Sequence, residues 1–132
     1  MTSLEKQTVL IVDDDEQFVT FLGRTLKRGG YSVMTATDGC DVPDMLEKTK
    51  VDLLLLDLHM PGMNGWEVMR SLREPSVGTV RKSRPKVVVV SGRDEQETEN
   101  FAKRLGADAY IRKPVWGNQL LDAVKRVLGE VA

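Results

Sequence analysis

Between Val51 and Gly65 the chain reads Val-Asp-Leu-Leu-Leu-Leu-Asp-Leu-His-Met-Pro-Gly-Met-Asn-Gly, and few architectures accept such a stretch. Leu53 to Leu56 show no polar alternation, so both faces of that segment must be covered, which is the situation of a strand inside a parallel sheet. Asp57 then stands where the strand leaves the core, at the edge where open α/β sheets bind their ligands. Pro61-Gly62 and Asn64-Gly65 are turn dipeptides, so the exit is a shaped loop leading to a helix. A single Asp after a strand is commonly a cap or turn residue. The ends of the other strands decide whether this one is more.

Val9–Val12 is a β-branched run read as the first strand, and it ends in Asp13, Asp14 and Asp15. Phe18, Leu22 and Leu26, with Thr25 beside them, recur at helical spacing until Gly29-Gly30 stops the helix. Asp15 and Glu16 suit the cap and first turn of that helix, but three adjacent Asp exceed what one cap needs. Tyr31–Ala36 reads as the second strand, and Asp38-Gly39 turns the chain into a helix near Asp41–Thr49, with Pro43 in its first turn. A third helix starts near Asn64 with Trp66, Met69, Leu72 and Val68 on its apolar side. Glu74 to Pro85 is a long loop with a basic cluster, Arg81-Lys82-Ser83-Arg84, of the kind usually found solvated, with a partner-binding patch as the sharper reading. Lys86–Val90 is the fourth strand and ends in Ser91-Gly92. Asp94, Glu95, Glu97 and Glu99 load the start of a fourth helix, which closes at Leu105-Gly106. Ala107–Ile111 is the fifth strand, followed by Arg112-Lys113-Pro114. A fifth helix runs from Trp116 to Leu128 with Leu120, Leu121, Val124, Val127 and Leu128 on its core face, and both Trp66 and Trp116 are expected half-buried. Five strands alternating with five helices predict a doubly wound parallel sheet.

Aligned at their ends, the strands deliver Asp13-Asp14, Asp57, Ser91 and Lys113-Pro114 to one edge. Close carboxylates repel and take up protons unless a cation neutralises them. An oxygen-only donor set with no Cys or His cluster suits a hard ion, magnesium first, then manganese or calcium. Lys113 would be a mobile cation opposite the metal, placed to hold an anion, and the Ser91 hydroxyl could donate a further hydrogen bond. Asp57 is ionised at neutral pH and needs no base to act as nucleophile, whereas Ser91 would need one. Aspartyl phosphates are established covalent intermediates, and phosphoryl transfer asks mainly for alignment and charge neutralisation.

From the first strand to the last helix the chain resembles the receiver domain of bacterial two-component response regulators. The resemblance rests on Val12-Asp13-Asp14, Leu56-Asp57 with Met60-Pro61-Gly62-Met63-Asn64-Gly65, Val90-Ser91-Gly92, and Gly106-Ala107-Asp108-Ala109-Tyr110 running into Lys113-Pro114. Each motif is weak alone. Their order and spacing are specific together, with 43 residues from Asp14 to Asp57, 34 to Ser91 and 22 more to Lys113.

The resemblance implies a flavodoxin-like five-stranded parallel sheet in the order 2-1-3-4-5, flanked by five helices. It implies that Asp57 accepts a phosphoryl group from a phosphohistidine on a histidine kinase or a histidine phosphotransfer protein. Asp14 would bind Mg2+ (or Mn2+) directly, with Asp57 as a ligand, Asp13 acting through water and the His59 backbone carbonyl as a further ligand. Ser91 and Lys113 would contact the phosphoryl oxygens, Tyr110 would be the switch aromatic coupled to Ser91, and the Lys113–Pro114 bond would be cis. Gly92 departs from the more usual Ala. His59 and Arg93 occupy positions where the family tunes the lifetime of its phosphorylated state. The output surface is expected on the fourth helix, fifth strand and fifth helix, with Lys103, Arg104, Lys125 and Arg126, facing a downstream protein target, an effector domain or a second copy in a homodimer.

Two other classes stay open. A metal-dependent aspartyl-nucleophile phosphatase would want a second Asp two residues after the nucleophile, where this chain has His59. A receiver-like interaction module that is never phosphorylated would not need the full acid set. The expectation is a signalling domain rather than an enzyme, catalysing at most its own phosphorylation and dephosphorylation. Size and charge agree: 132 residues with 41% hydrophobic content suit one domain over 1–132 with its core at 8–129. With 19 Lys plus Arg against 20 Asp plus Glu, the net charge of −1 gives no field drawing the chain to nucleic acid or anionic membrane. No run is long enough to span a bilayer, the polar N-terminus has no signal-peptide core, and the single Cys40 fits a reducing compartment. A cytoplasmic protein follows as the expectation, with no DNA-binding helix-turn-helix before Ala132.

Overall fold

The computed structural model describes residues 6–60, 63–73, 85–92 and 96–129. Five strands, β1 (Thr8–Val12), β2 (Ser32–Ala36), β3 (Leu53–Leu56), β4 (Lys86–Ser91) and β5 (Ala109–Arg112), pair in parallel in the order β2-β1-β3-β4-β5. Among the described residues, helices α1 (Glu16–Arg28), α2 (Val42–Lys48), α3 (Gly65–Arg73), α4 (Gln96–Arg104) and α5 (Gly117–Val127) connect them, with a 3-10 turn over Gly39–Asp41 before α2. This is the doubly wound sheet that the alternating pattern predicts, in the expected order.

The apolar runs split by side-chain parity, as successive strand residues must. Leu10, Val12, Leu54, Leu56, Val87 and Val89 face a core shared with α2 and α3, while Val9, Ile11, Leu53, Leu55, Val88 and Val90 face one shared with α1 and α5. All four leucines of β3 are at most 1% exposed. Burying each such side chain contributes roughly 1.5–3 kcal/mol, so the central strand fixes the sheet, and with it the height at which Asp57 emerges.

The helix ends follow local chemistry. Asp15 caps α1 by accepting the amides of Gln17 and Phe18, both at 3.1 Å. Asn64 and Glu67 form a reciprocal capping box at the start of α3, where Glu67 N donates to Asn64 Oδ1 at 3.0 Å and Asn64 N to Glu67 Oε1 at 3.1 Å. Gly106 follows α4 with φ of +111°, a left-handed conformation that favours glycine.

Several boundaries differ from the periodicity reading. Tyr31 precedes β2, β5 runs from Ala109 to Arg112 rather than from Ala107, and α2 and α5 are each shorter than their expected spans. Trp116 is 69% exposed, not half-buried, because it precedes α5 in an extended conformation instead of lying on the helix. Trp66 is half-buried and packs its ring on Phe101 of α4, with centroids 5.1 Å apart. The basic cluster at Arg81–Arg84 and the acids Asp94 and Glu95 lie outside the described residues.

Candidate functional site

Register converts four strand ends into one cluster. Val12 is level with Leu56 across β1 and β3, and the ladder continues one step, with Asp57 N donating to Val12 O at 2.9 Å. Asp13 and Asp57 are therefore side by side where the chain leaves the sheet. Ser91 is level with Arg112, and Lys113 N donates to Ser91 O at 2.8 Å, which brings Lys113 over the same edge. The Lys113–Pro114 bond is cis, as the resemblance implies.

The sequence-predicted acids come together. Asp13, Asp14 and Asp57 each offer a carboxylate oxygen, and these atoms lie within 4.8 Å of one another. Asp13 and Asp57 are buried, at 2% and 7% exposure, and Asp14 faces outward. Oxygen donors of this kind, two buried and one open to water, fit a hard divalent cation that keeps part of its water shell. The β2 exit brings Asp38 to the neighbouring loop, but its carboxylate caps the Gly39–Asp41 turn through Cys40 N at 2.9 Å, which holds it below the usual carboxylate range.

Asp57 is a buried carboxylate with charged neighbours on both sides. Burial is the main influence on its carboxyl and raises its proton affinity above the ordinary value; the charges of Asp13 and Asp14 push the same way, while Lys113 and the His59 amide oppose them. Desolvation thus outweighs the carboxylate repulsion expected from sequence. The His59 amide approaches Asp57 Oδ1 at 3.4 Å, and the His59 side chain is exposed.

The Lys113 side chain is partly exposed and reaches into the acid cluster. Its ammonium is 2.9 Å from Asp13 Oδ2 and 3.9 Å from Asp57 Oδ2. It also lies 4.6 Å from the ring centroid of Phe18 on α1, a contact that the helical spacing of Phe18 disguised as a core position. Ser91 is fully buried at the end of β4, and Tyr110 is half-buried on β5 with its ring against the α2–α3 core. Arg93 lies outside the described residues.

By contrast, two other sequence acids serve the far edge of the sheet. Asp52 Oδ2 accepts Thr8 N and Asp108 Oδ2 accepts Val87 N, both at 2.8 Å, closing strand starts.

The match to known proteins is consistent across sequence and structure. The family model described as "Response regulator receiver domain" matches residues 9–125, and the chain belongs to that family. It is 35% identical over 120 residues to the alkaline phosphatase synthesis transcriptional regulatory protein PhoP of Bacillus subtilis, covering 91% of this chain and 48% of that protein. The chain thus spans about half the length of that relative. A CheY-like response regulator receiver domain protein from Methanospirillum hungatei superposes with a TM-score of 0.82 at 31% identity, covering 96% of each chain. A signal receiver domain from Bermanella marisrubri gives 0.80 at 35% identity, covering 94% of this chain and 99% of that one. The protein is a receiver domain of a response regulator, a signalling module. No described helix is long and apolar enough to cross a membrane.

Proposed function

We propose that this receiver takes a phosphoryl group from a phosphohistidine onto Asp57 and passes the signal on as a changed protein–protein surface. The observation that carries the reading is the setting of Asp57: a buried carboxylate with two further carboxylates gathered beside it and the Lys113 ammonium at 3.9 Å. In the transfer, an Asp57 carboxylate oxygen bonds to phosphorus as the bond from phosphorus to the imidazole nitrogen breaks, and the nitrogen keeps that electron pair. Lys113 neutralises charge on the transferred group, and the Ser91 hydroxyl donates to one of its oxygens. Asp13, Asp14 and Asp57, with the His59 carbonyl, would hold Mg2+ or Mn2+, which when bound screens the acids and the incoming phosphoryl oxygens.

The output surface in this reading is α4–β5–α5. A groove of about 840 Å³ runs there beside Tyr110, Arg112, Trp116, Gln119 and Arg126. Glu99 on α4 meets Lys103 at 2.8 Å and Arg112 of β5 at 3.3 Å, so α4 and β5 are joined electrostatically. Movement of Ser91 toward a phosphoryl oxygen would be answered by Tyr110, two residues from the Ser91-paired Arg112, and would reshape this groove. Partners are a histidine kinase or phosphotransfer protein upstream and an effector downstream, whether on the same polypeptide, on a separate protein or in a homodimer. The unit proposed is a single receiver over 1–132, working in the cytoplasm without direct nucleic-acid contact, with His59 and Arg93 setting the phosphoryl lifetime. His59 two residues after Asp57, where an aspartyl phosphatase would want its acid/base, weighs against ester turnover.

Intact mass after incubation with Mg2+ and phosphoramidate or acetyl phosphate tests this reading. One added phosphoryl group that requires Mg2+ and is absent from Asp57→Asn is expected. An adduct that persists in Asp57→Asn, or none in the wild type, overturns it.

A further inference from the structure

We infer that Phe18 is a positioning residue for Lys113: its ring is the platform that keeps the ammonium over the site while the ammonium exchanges one anionic partner for another. This rests on the phosphoacceptor reading above. Lys113 carries its charge on a flexible four-carbon stem, and 27% of its side chain is exposed, so burial alone does not fix it. Two groups meet the ammonium besides Asp57: Asp13 Oδ2 at 2.9 Å and the Phe18 ring at 4.6 Å.

These two contacts behave differently when the site is loaded. The hydrogen bond to Asp13 is electrostatic and competes with any cation drawn to the same carboxylates. The ring carries no net charge and is not consumed by a metal or a phosphoryl group, so its attraction for the ammonium persists through the exchange. The ring is itself held. Phe18 is half-buried against the α1–α5 core and stacks on Phe21 with centroids 6.4 Å apart and planes 25° apart. Its amide is tied to the Asp15 cap at 3.1 Å, which anchors the start of α1 beside Asp13 and Asp14. A helix whose first turn is capped next to the acids therefore carries the one aromatic ring that faces Lys113 among the described residues. A core role for Phe18 would be met equally by Leu, whereas a role through the ring face requires an aromatic side chain.

The test compares Phe18→Leu and Phe18→Trp with the wild type in the full chain. Lys113 Hε protons, observed by NMR without added metal, should be shifted upfield by the ring in the wild type, return to the ordinary position in Phe18→Leu and be shifted again in Phe18→Trp. At saturating Mg2+, the rate of phosphorylation by phosphoramidate should fall about three- to tenfold in Phe18→Leu and recover in Phe18→Trp. An ordinary Lys113 shift in the wild type, or an unchanged rate in Phe18→Leu while the wild type is phosphorylated, overturns the role of Phe18 alone. Absence of adduct from the wild type overturns the phosphoacceptor reading, and this role with it.

Discussion

The ammonium of Lys113 reaches across 100 residues of sequence to hydrogen-bond Asp13 Oδ2 at 2.9 Å, 1 Å nearer than its approach to Asp57. A divalent cation entering the acid cluster must therefore share Asp13 with an existing positive charge. Removing that charge while keeping the stem, as in Lys113→Met, should tighten Mg2+ binding on the order of tenfold, since the competing ammonium is gone. The same variant should take up a phosphoryl group more slowly, because charge on the transferred group is no longer met. Fluorescence titration with Mg2+ and mass-resolved phosphorylation kinetics read the two effects separately. Weaker Mg2+ binding in Lys113→Met would contradict the competition.

Divalent-ion binding should also be visible as stability. A ligand held only by the folded chain stabilises it by about 2.7 kcal/mol at a hundredfold excess over its dissociation constant. Thermal unfolding should rise with Mg2+ in the wild type and rise far less in Asp14→Ala. Asp14 is exposed, so its replacement leaves the fold intact. Equal Mg2+ responses in the two proteins would remove Asp14 from the ligand set.

Asp57 predicts a pH dependence of definite sign. Burial raises its carboxyl above the ordinary value of 3.8, so the folded chain holds this proton to higher pH than the unfolded chain does. Its unfavourable contribution is absent below that ordinary value, grows as pH rises through the raised folded value, and is then constant. Asp57→Asn should therefore gain stability relative to the wild type across that window and keep the gain at neutral pH. Urea unfolding at a series of pH values without divalent ions measures it, and a pH-independent difference would contradict the assignment.

Gly65 fixes the distance between the β3 exit and α3. A Cβ there would meet the Asp57 carbonyl oxygen and come within 2.7 Å of Leu58 Cα, both rigid backbone. Gly65→Ala should cost about 1–3 kcal/mol through overpacking and slow phosphorylation further by shifting Asp57. Circular dichroism melts and the phosphorylation rate check both. Wild-type values for each would show that the turn has slack.

Much of this was legible in the residues. The unbroken Leu53–Leu56 run required a doubly covered strand, and polar residues at the ends of β1, β3, β4 and after β5 marked one edge as the site. Chain order does not itself separate the clustered acids from the others: Asp52 and Asp108 resemble Asp57 as strand-flanking carboxylates, and only their place at the strand starts sets them to accept the amides of Thr8 and Val87, away from the cluster. Trp116 was misread because helical periodicity places residues on a face without showing where the helix begins. Phe18 was hidden for a related reason. Its spacing with Leu22 and Leu26 fits a core stripe, and only the three-dimensional path of the chain after β5 brings Lys113 over its ring.

The most direct test of the central claim is chemical location of the phosphoryl group. Borohydride reduces an aspartyl phosphate to homoserine, so reduction after treatment with phosphoramidate and Mg2+, followed by peptide mass mapping, identifies the acceptor by its converted side chain. Homoserine at position 57, dependent on Mg2+ and nowhere else in the acid cluster, is the predicted result. Conversion at Asp13 or Asp14 instead, or a phosphoryl group that resists the reduction because it sits on Ser91 or His59, would contradict it.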